Sequence, residues 1–136
     1  MFNKNYAFIT STSKFMRIHF KKLSYELKKR REVSILEIGC NDGILLENFK
    51  NSKHLGIEPS RNVCNLAKKR GLKVENIFFN NKNAEKIKKK YGLFNTVFGS
   101  NVICHIPDQQ ELYKSVNKLL TSDGEFIFEE PYLLEM

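Results

Sequence analysis

No stretch of the sequence approaches the roughly 20 consecutive apolar residues of a membrane-spanning helix, and its start lacks the long apolar core of a secretory leader. Cysteine is scarce: Cys40, Cys64 and Cys104 are the only three, with no CxxC spacing and no clustered histidines around them. That pattern argues against a zinc centre and against the disulfide framework of a small secreted domain. A soluble protein of a reducing cytoplasm is the expectation. No internal repeat or low-complexity linker divides the 136 residues, a length that suits one domain burying roughly two thirds of its unfolded surface. Acidic residues are outnumbered, 15 against 23 basic, which leaves a net charge of +8. The excess is mostly lysine, in residues 21–29, 68–70 and 82–90, each on an expected helix face. A solvated surface accounts for such runs, and a polyanion partner is the alternative.

What is present alternates. Ser13 is placed to cap a helix whose apolar side is Met16, His19 or Phe20, Leu23 and Leu27, ending near Arg31. Residues 33–38 form a short, mostly apolar, β-branched segment that stops at Gly39, as a buried parallel strand would. A helix is expected over 44–50, then strand 54–58, helix 61–70, strand 73–76, helix 84–91, strand 94–99, helix 109–120 and strand 125–130. Pro59-Ser60 and Pro107-Asp108 read as helix openings, and Ser122-Asp123-Gly124 as a turn before the last strand. Such alternation predicts an α/β fold, with a mostly parallel sheet of about five strands, helices on both faces and right-handed crossovers.

Ligands of open parallel sheets bind outside the carboxyl ends of the strands, where strand order reverses. The segment Glu37-Ile38-Gly39-Cys40-Asn41-Asp42-Gly43 joins the first strand to its helix, and its glycines let the backbone approach a ligand closely. Glu58, 19 residues after Gly39, closes the second strand at the spacing where a carboxylate accepts bonds from ribose hydroxyls; capping the Pro59-Ser60 helix is the plainer alternative. A pyrophosphate would need unblocked amides at the helix start, whereas Asp42 places negative charge there. Together with Glu37, it favours a ligand carrying an ammonium and a sulfonium over a dinucleotide.

The stretches ILEIGCNDG at 35–43 and LGIEPS at 55–60 resemble the first two motifs of S-adenosylmethionine-dependent methyltransferases. More narrowly, EIGCNDG, GIEPSRNVCNLAKKRG, GSNVICHIPD at 99–108 and FEEPYLLEM at 128–136 are similar to C-methyltransferases of nucleotide-linked keto sugars. The opening from Tyr6 to His19, with Ser11, Thr12 and Ser13, also resembles the segment before the cofactor domain in that family. The resemblance implies a three-layer Rossmann-like methyltransferase core. Residues 1–31 would form an N-terminal segment and helix, and 32–136 the S-adenosylmethionine-binding domain without the C-terminal part of the family fold. It also implies that Gly39, Cys40, Asn41 and Gly43 line the methionine end of the cofactor, beside the charge already read at Glu37 and Asp42. Glu58 would hold the ribose, Pro59 would lie near the adenine, and Ser100, Asn101 and Val102 would form the floor toward the acceptor, a small molecule such as a sugar nucleotide.

The chain departs from that family in lacking a cysteine-rich zinc-binding segment before Tyr6, in stopping at Met136, and in having five expected strands against seven. A fragment, a truncated reading frame or a degenerate copy is therefore expected. Methyl transfer to carbon beside a ketone needs in-line approach and a base. His105 reads as a cofactor-loop contact, with a base or a structural histidine as alternatives; His19 and His54 read as structural. Cys40 has no basic neighbour in sequence to activate it and reads as a small loop residue. Glu129 and Tyr132 end the last strand, where they could touch an acceptor, and Phe78-Phe79 reads as core or adenine-side packing. No catalytic residue is assigned. Two other functions fit parts of the pattern: an NAD-dependent oxidoreductase using Glu58 and the glycine turn, and a non-catalytic RNA- or partner-binding module using the lysines of 82–90.

Overall fold

The computed structural model describes residues 9–130, so Tyr6, Tyr132 and residues 131–136 of the last motif lie outside the described residues. The element order is α1 (Lys14–Arg30), β1 (Ile35–Ile38), β2 (His54–Ile57), α2 (Arg61–Lys69), β3 (Val74–Glu75), α3 (Asn81–Tyr91), β4 (Phe94–Ser100), α4 (Gln109–Leu119) and β5 (Leu120–Glu129). Short 3-10 turns occur at Thr10–Thr12, Leu46–Phe49 and Ile103–His105. The five strands form one sheet in the order β3-β2-β1-β4-β5, every pair parallel. Strand order reverses between β1 and β4, which is where a ligand cleft is expected to open.

Alternation along each strand divides the core in two. Ile35 and Phe98 face a cluster built with Phe20 and Leu27 of α1, Leu45, Leu46 and Phe49 of the loop after β1, and Cys64 and Ala67 of α2. Leu36, Ile38 and Val97 face the opposite cluster, with Ala84 and Ile87 of α3 and Leu112, Val116 and Leu119 of α4. The three-layer Rossmann-like arrangement expected from the sequence is thus present, and α1 buries its apolar stripe against the same layer as α2. Ser13 Oγ accepts from the Met16 amide at 3.2 Å, capping α1 as read from the sequence. Phe20, 3% exposed, rather than His19 carries that stripe. Most lysines of the three basic runs are exposed. Among the described residues no helix is long and apolar enough to cross a membrane.

Several boundaries differ from the sequence expectation for physical reasons. The helix expected over 44–50 is only a 3-10 turn at Leu46–Phe49. There the Asn48 side chain donates to the carbonyls of Ile44 and Leu45, at 3.2 and 3.1 Å, occupying acceptors an α-helix would use. α3 begins earlier than expected because Asn80 Oδ1 accepts from the Asn83 amide at 2.8 Å. The turn expected at Ser122-Asp123-Gly124 is instead a bulge inside β5, since Phe94 faces Leu120 but Thr96 already faces Glu125. Arg31 secures the bulge by donating to the Asp123 carbonyl at 3.0 Å.

Candidate functional site

β1 releases its chain at Gly39 without leaving the sheet: the amides of Gly39 and Cys40 both donate to the Ile57 carbonyl, at 2.7 and 3.1 Å. Gly39 adopts φ +70°, and a Cβ there would lie 2.8 Å from Val102 Cγ2, so both the turn and the close approach of the β4 loop require glycine. Asn41 takes φ +54°, and its Oδ1 accepts from the amides of Thr10 and Asp42, each at 2.9 Å. The loop is therefore strapped down by the 3-10 turn at Thr10–Thr12. Glu58 closes the other side. Its Oε1 accepts from the Asn41 amide at 2.9 Å and its Oε2 from the Ser60 amide at 2.8 Å. The acid just after β2 thus holds the glycine turn directly and also fixes Ser60, the residue that precedes α2, while each carboxylate oxygen keeps further acceptor capacity.

These contacts bring the predicted residues to one end of the sheet. Glu37, Gly39, Cys40, Asn41, Glu58, Ser100, Asn101, Val102 and His105 all line a cleft of about 270 Å³. Pro59 lies in an adjoining apolar cavity of about 230 Å³, with Ile57, Phe78, Phe79 and Ile106; Gly39, Val102 and His105 border both spaces. Asp42 and Gly43 do not line the cleft. Asp42 is fully buried behind the loop, where Oδ1 accepts from the Ser11 amide at 3.3 Å and Oδ2 meets Arg70 at 3.2 Å. The negative charge read as repelling a phosphate is neutralised by Arg70, and Asp42 serves as a strut.

The charge that does face the cleft is Glu37, 3% exposed, whose Oε2 is buried without a hydrogen-bond partner among the described residues. Burial pushes its carboxyl well above the ordinary value, and the negative charges of Glu58, Glu129 and Asp42 add to the shift. Burial also raises Glu58, against the backbone N–H groups of Ser60 and Asn41, which pull it down. A buried carboxyl without a partner is costly unless a cation or donor completes it. The Cys40 thiol is pushed up by burial and by Glu37 and Glu58, which fits a packed loop residue and not a nucleophile.

Sequence reasoning missed Thr10, Met16, Phe20 and Ile44, which also line the cleft. The helical spacing identified Met16 and Phe20 as apolar-face residues, but nothing in it shows that the α1 stripe runs over the strand ends. His19, read as structural, has Nε2 2.8 Å from Glu129 Oε2, and Glu129 Oε1 accepts from Ser100 Oγ at 2.8 Å. Among the described residues no group of three or more His, Cys, Asp or Glu side chains is placed to hold a metal ion.

Comparison with known proteins gives a consistent picture. Residues 9–135 match the family model described as a methyltransferase domain. The chain is 31% identical over 138 aligned positions to the C-methyltransferase NovU of Streptomyces niveus, covering 97% of this chain and 33% of that protein. It therefore spans about a third of the length of this curated relative. Among solved structures, the plantazolicin methyltransferase BpumL in complex with a pentazolic desmethylPZN analog and SAH superimposes with a TM-score of 0.66 at 19% identity, over 86% of this chain and 48% of that one. The sugar N-methyltransferase KedS8 from Streptoalloteichus gives 0.62 at 17% identity, over 83% and 47%. These likenesses concern the fold, and the family match extends through the strapped turn, Glu58 and the end of β4: the chain belongs to the methyltransferase domain family.

Proposed function

We propose that the paired cavities bind S-adenosylmethionine and that the chain is the cofactor-binding part of an enzyme methylating a small molecule. The observation that carries this reading is Glu37: a buried carboxyl with an unpartnered oxygen, lining a cleft whose other wall is Glu58 and which opens beside an apolar cavity. The donor set fits the three parts of the ligand. Glu37 would take the ammonium, Glu58 would accept from the ribose hydroxyls, and Pro59 with Ile57 and Phe79 would pack against the adenine. A dinucleotide fits less well, because its pyrophosphate would meet Glu37 without a compensating cation.

When bound, the cofactor supplies an electrophilic methyl group on a sulfonium. The chain's own contribution is positioning and exclusion of water: Thr10 of the 3-10 turn and Met16 and Phe20 of α1 close the cleft, and Ser100, Asn101 and Val102 form the floor toward the acceptor. The finer reading is C-methylation of a nucleotide-linked keto sugar. It is supported by the four motifs and by the similarity to a protein named as a C-methyltransferase.

Isothermal titration of the chain with S-adenosylmethionine, S-adenosylhomocysteine and NAD tests the cofactor reading. Saturable binding of the first two is expected. No heat from either at millimolar ligand, or saturable binding of NAD in their place, would overturn it.

A further inference from the structure

The row of side chains one step above the apolar layer of the sheet is polar. On the α1 face, Ile35, Phe98 and Ile127 belong to the core, and the next residues on that face are Glu37, Ser100 and Glu129. Parallel register sets Ser100 directly opposite Glu129, and the Ser100 hydroxyl donates to Glu129 Oε1 at 2.8 Å. The other carboxylate oxygen meets His19 Nε2 at 2.8 Å, with the His19 ring between Phe15 and Phe20 at centroid distances of 6.3 and 5.3 Å. A carboxylate only accepts, so His19 must donate through Nε2–H, and the single proton of Ser100 is committed to Glu129. What Ser100 turns toward the cleft is therefore lone pairs alone.

We propose that Ser100, with its proton held by Glu129, discriminates the methylated sulfonium form of the cofactor from its demethylated thioether. This rests on the cofactor reading above. The two forms differ by one methyl group and one positive charge. A hydroxyl presenting only lone pairs attracts the polarised C–H groups around a sulfonium and repels the lone pairs of a thioether sulfur. The same arrangement favours loading before methyl transfer and release after it. Glu129 and His19 are positioning residues, acting through the direction of one O–H bond.

The test is the ratio of dissociation constants for S-adenosylmethionine and S-adenosylhomocysteine, measured by titration on the whole chain. In Glu129→Gln, the His19 N–H keeps hold of the amide oxygen, so the amide NH2 faces Ser100 and turns its proton into the cleft. The expected result is a shift of about tenfold in the ratio toward S-adenosylhomocysteine, equivalent to about 1.4 kcal/mol. Ser100→Ala should move the ratio the same way by a smaller factor. Damage to the fold alone would weaken both ligands together and leave the ratio unchanged, so an unchanged ratio in both variants overturns the proposal. If the unaltered chain binds neither ligand, the cofactor reading itself has failed.

Discussion

Glu37 combines a structural cost with a functional use, and the two respond oppositely to one substitution. Its carboxyl sits well above the ordinary range in the fold because it is buried. A carboxyl raised in this way contributes stability that is fully present below its unfolded value and is lost as pH rises through its folded value. Glu37→Gln removes that loss. The variant should be more stable than the parent by about 1–3 kcal/mol at alkaline pH, with the gap closing toward acid pH, as read from urea midpoints at pH 5 and pH 8. The same change should weaken S-adenosylmethionine binding roughly 10- to 100-fold, because a charge-assisted bond to the ammonium is lost. How far single residues were legible depended on where their partners lie. Gly39 and Glu58 carry their chemistry in local spacing, and the structure brings both to one cleft. Asp42 was misread because Arg70 and Ser11, which enclose it, are distant in sequence. Periodicity left His19 and Phe20 as alternatives for the α1 stripe, because it does not separate the residue under the sheet from its neighbour at the rim, where His19 meets Glu129.

At the scale of elements, the strap formed by Thr10–Thr12 and α1 governs access to the cleft. Its 3-10 turn is held to the glycine loop by bonds from the Thr10 and Ser11 amides to the side chains of Asn41 and Asp42. Asn41→Gly keeps the left-handed backbone but deletes the acceptor for Thr10. Hydrogen exchange at the Thr10 amide should then accelerate about tenfold, the equivalent of one ordinary hydrogen bond, while the amides of β1 remain protected. Exchange monitored by NMR at neutral pH reads this directly, and unaltered protection of Thr10 would show that the strap is held by α1 packing instead. The order and type of the long elements were legible because their apolar periodicity is strong. The 3-10 turn at Leu46–Phe49 and the bulge in β5 were not, since both arise from side chains competing for backbone groups.

Over the whole molecule, the charge of +8 sets a long-range repulsion that the ion pairs offset only locally. Several of those pairs, including Lys90 with Glu75 and Lys118 with Glu85, involve exposed side chains and contribute little each. Screening of the net repulsion should therefore outweigh screening of the pairs. Raising ionic strength from about 0.01 to 0.15 M shortens the screening length from about 30 to 8 Å, and the melting temperature should rise across that range. A fall in melting temperature, measured by circular dichroism, would mean that attractive pairs dominate the electrostatics.

The strand that carries Glu129 reaches its place across a stretch where two steps along β4 are matched by five along β5. That slack absorbs changes in chain length. Loss of one residue among Ser122, Asp123 and Gly124 shortens the excursion and leaves Glu129 beside Ser100. The same loss between Glu125 and Phe128 would turn every later side chain to the opposite face and carry the carboxylate away from the cleft.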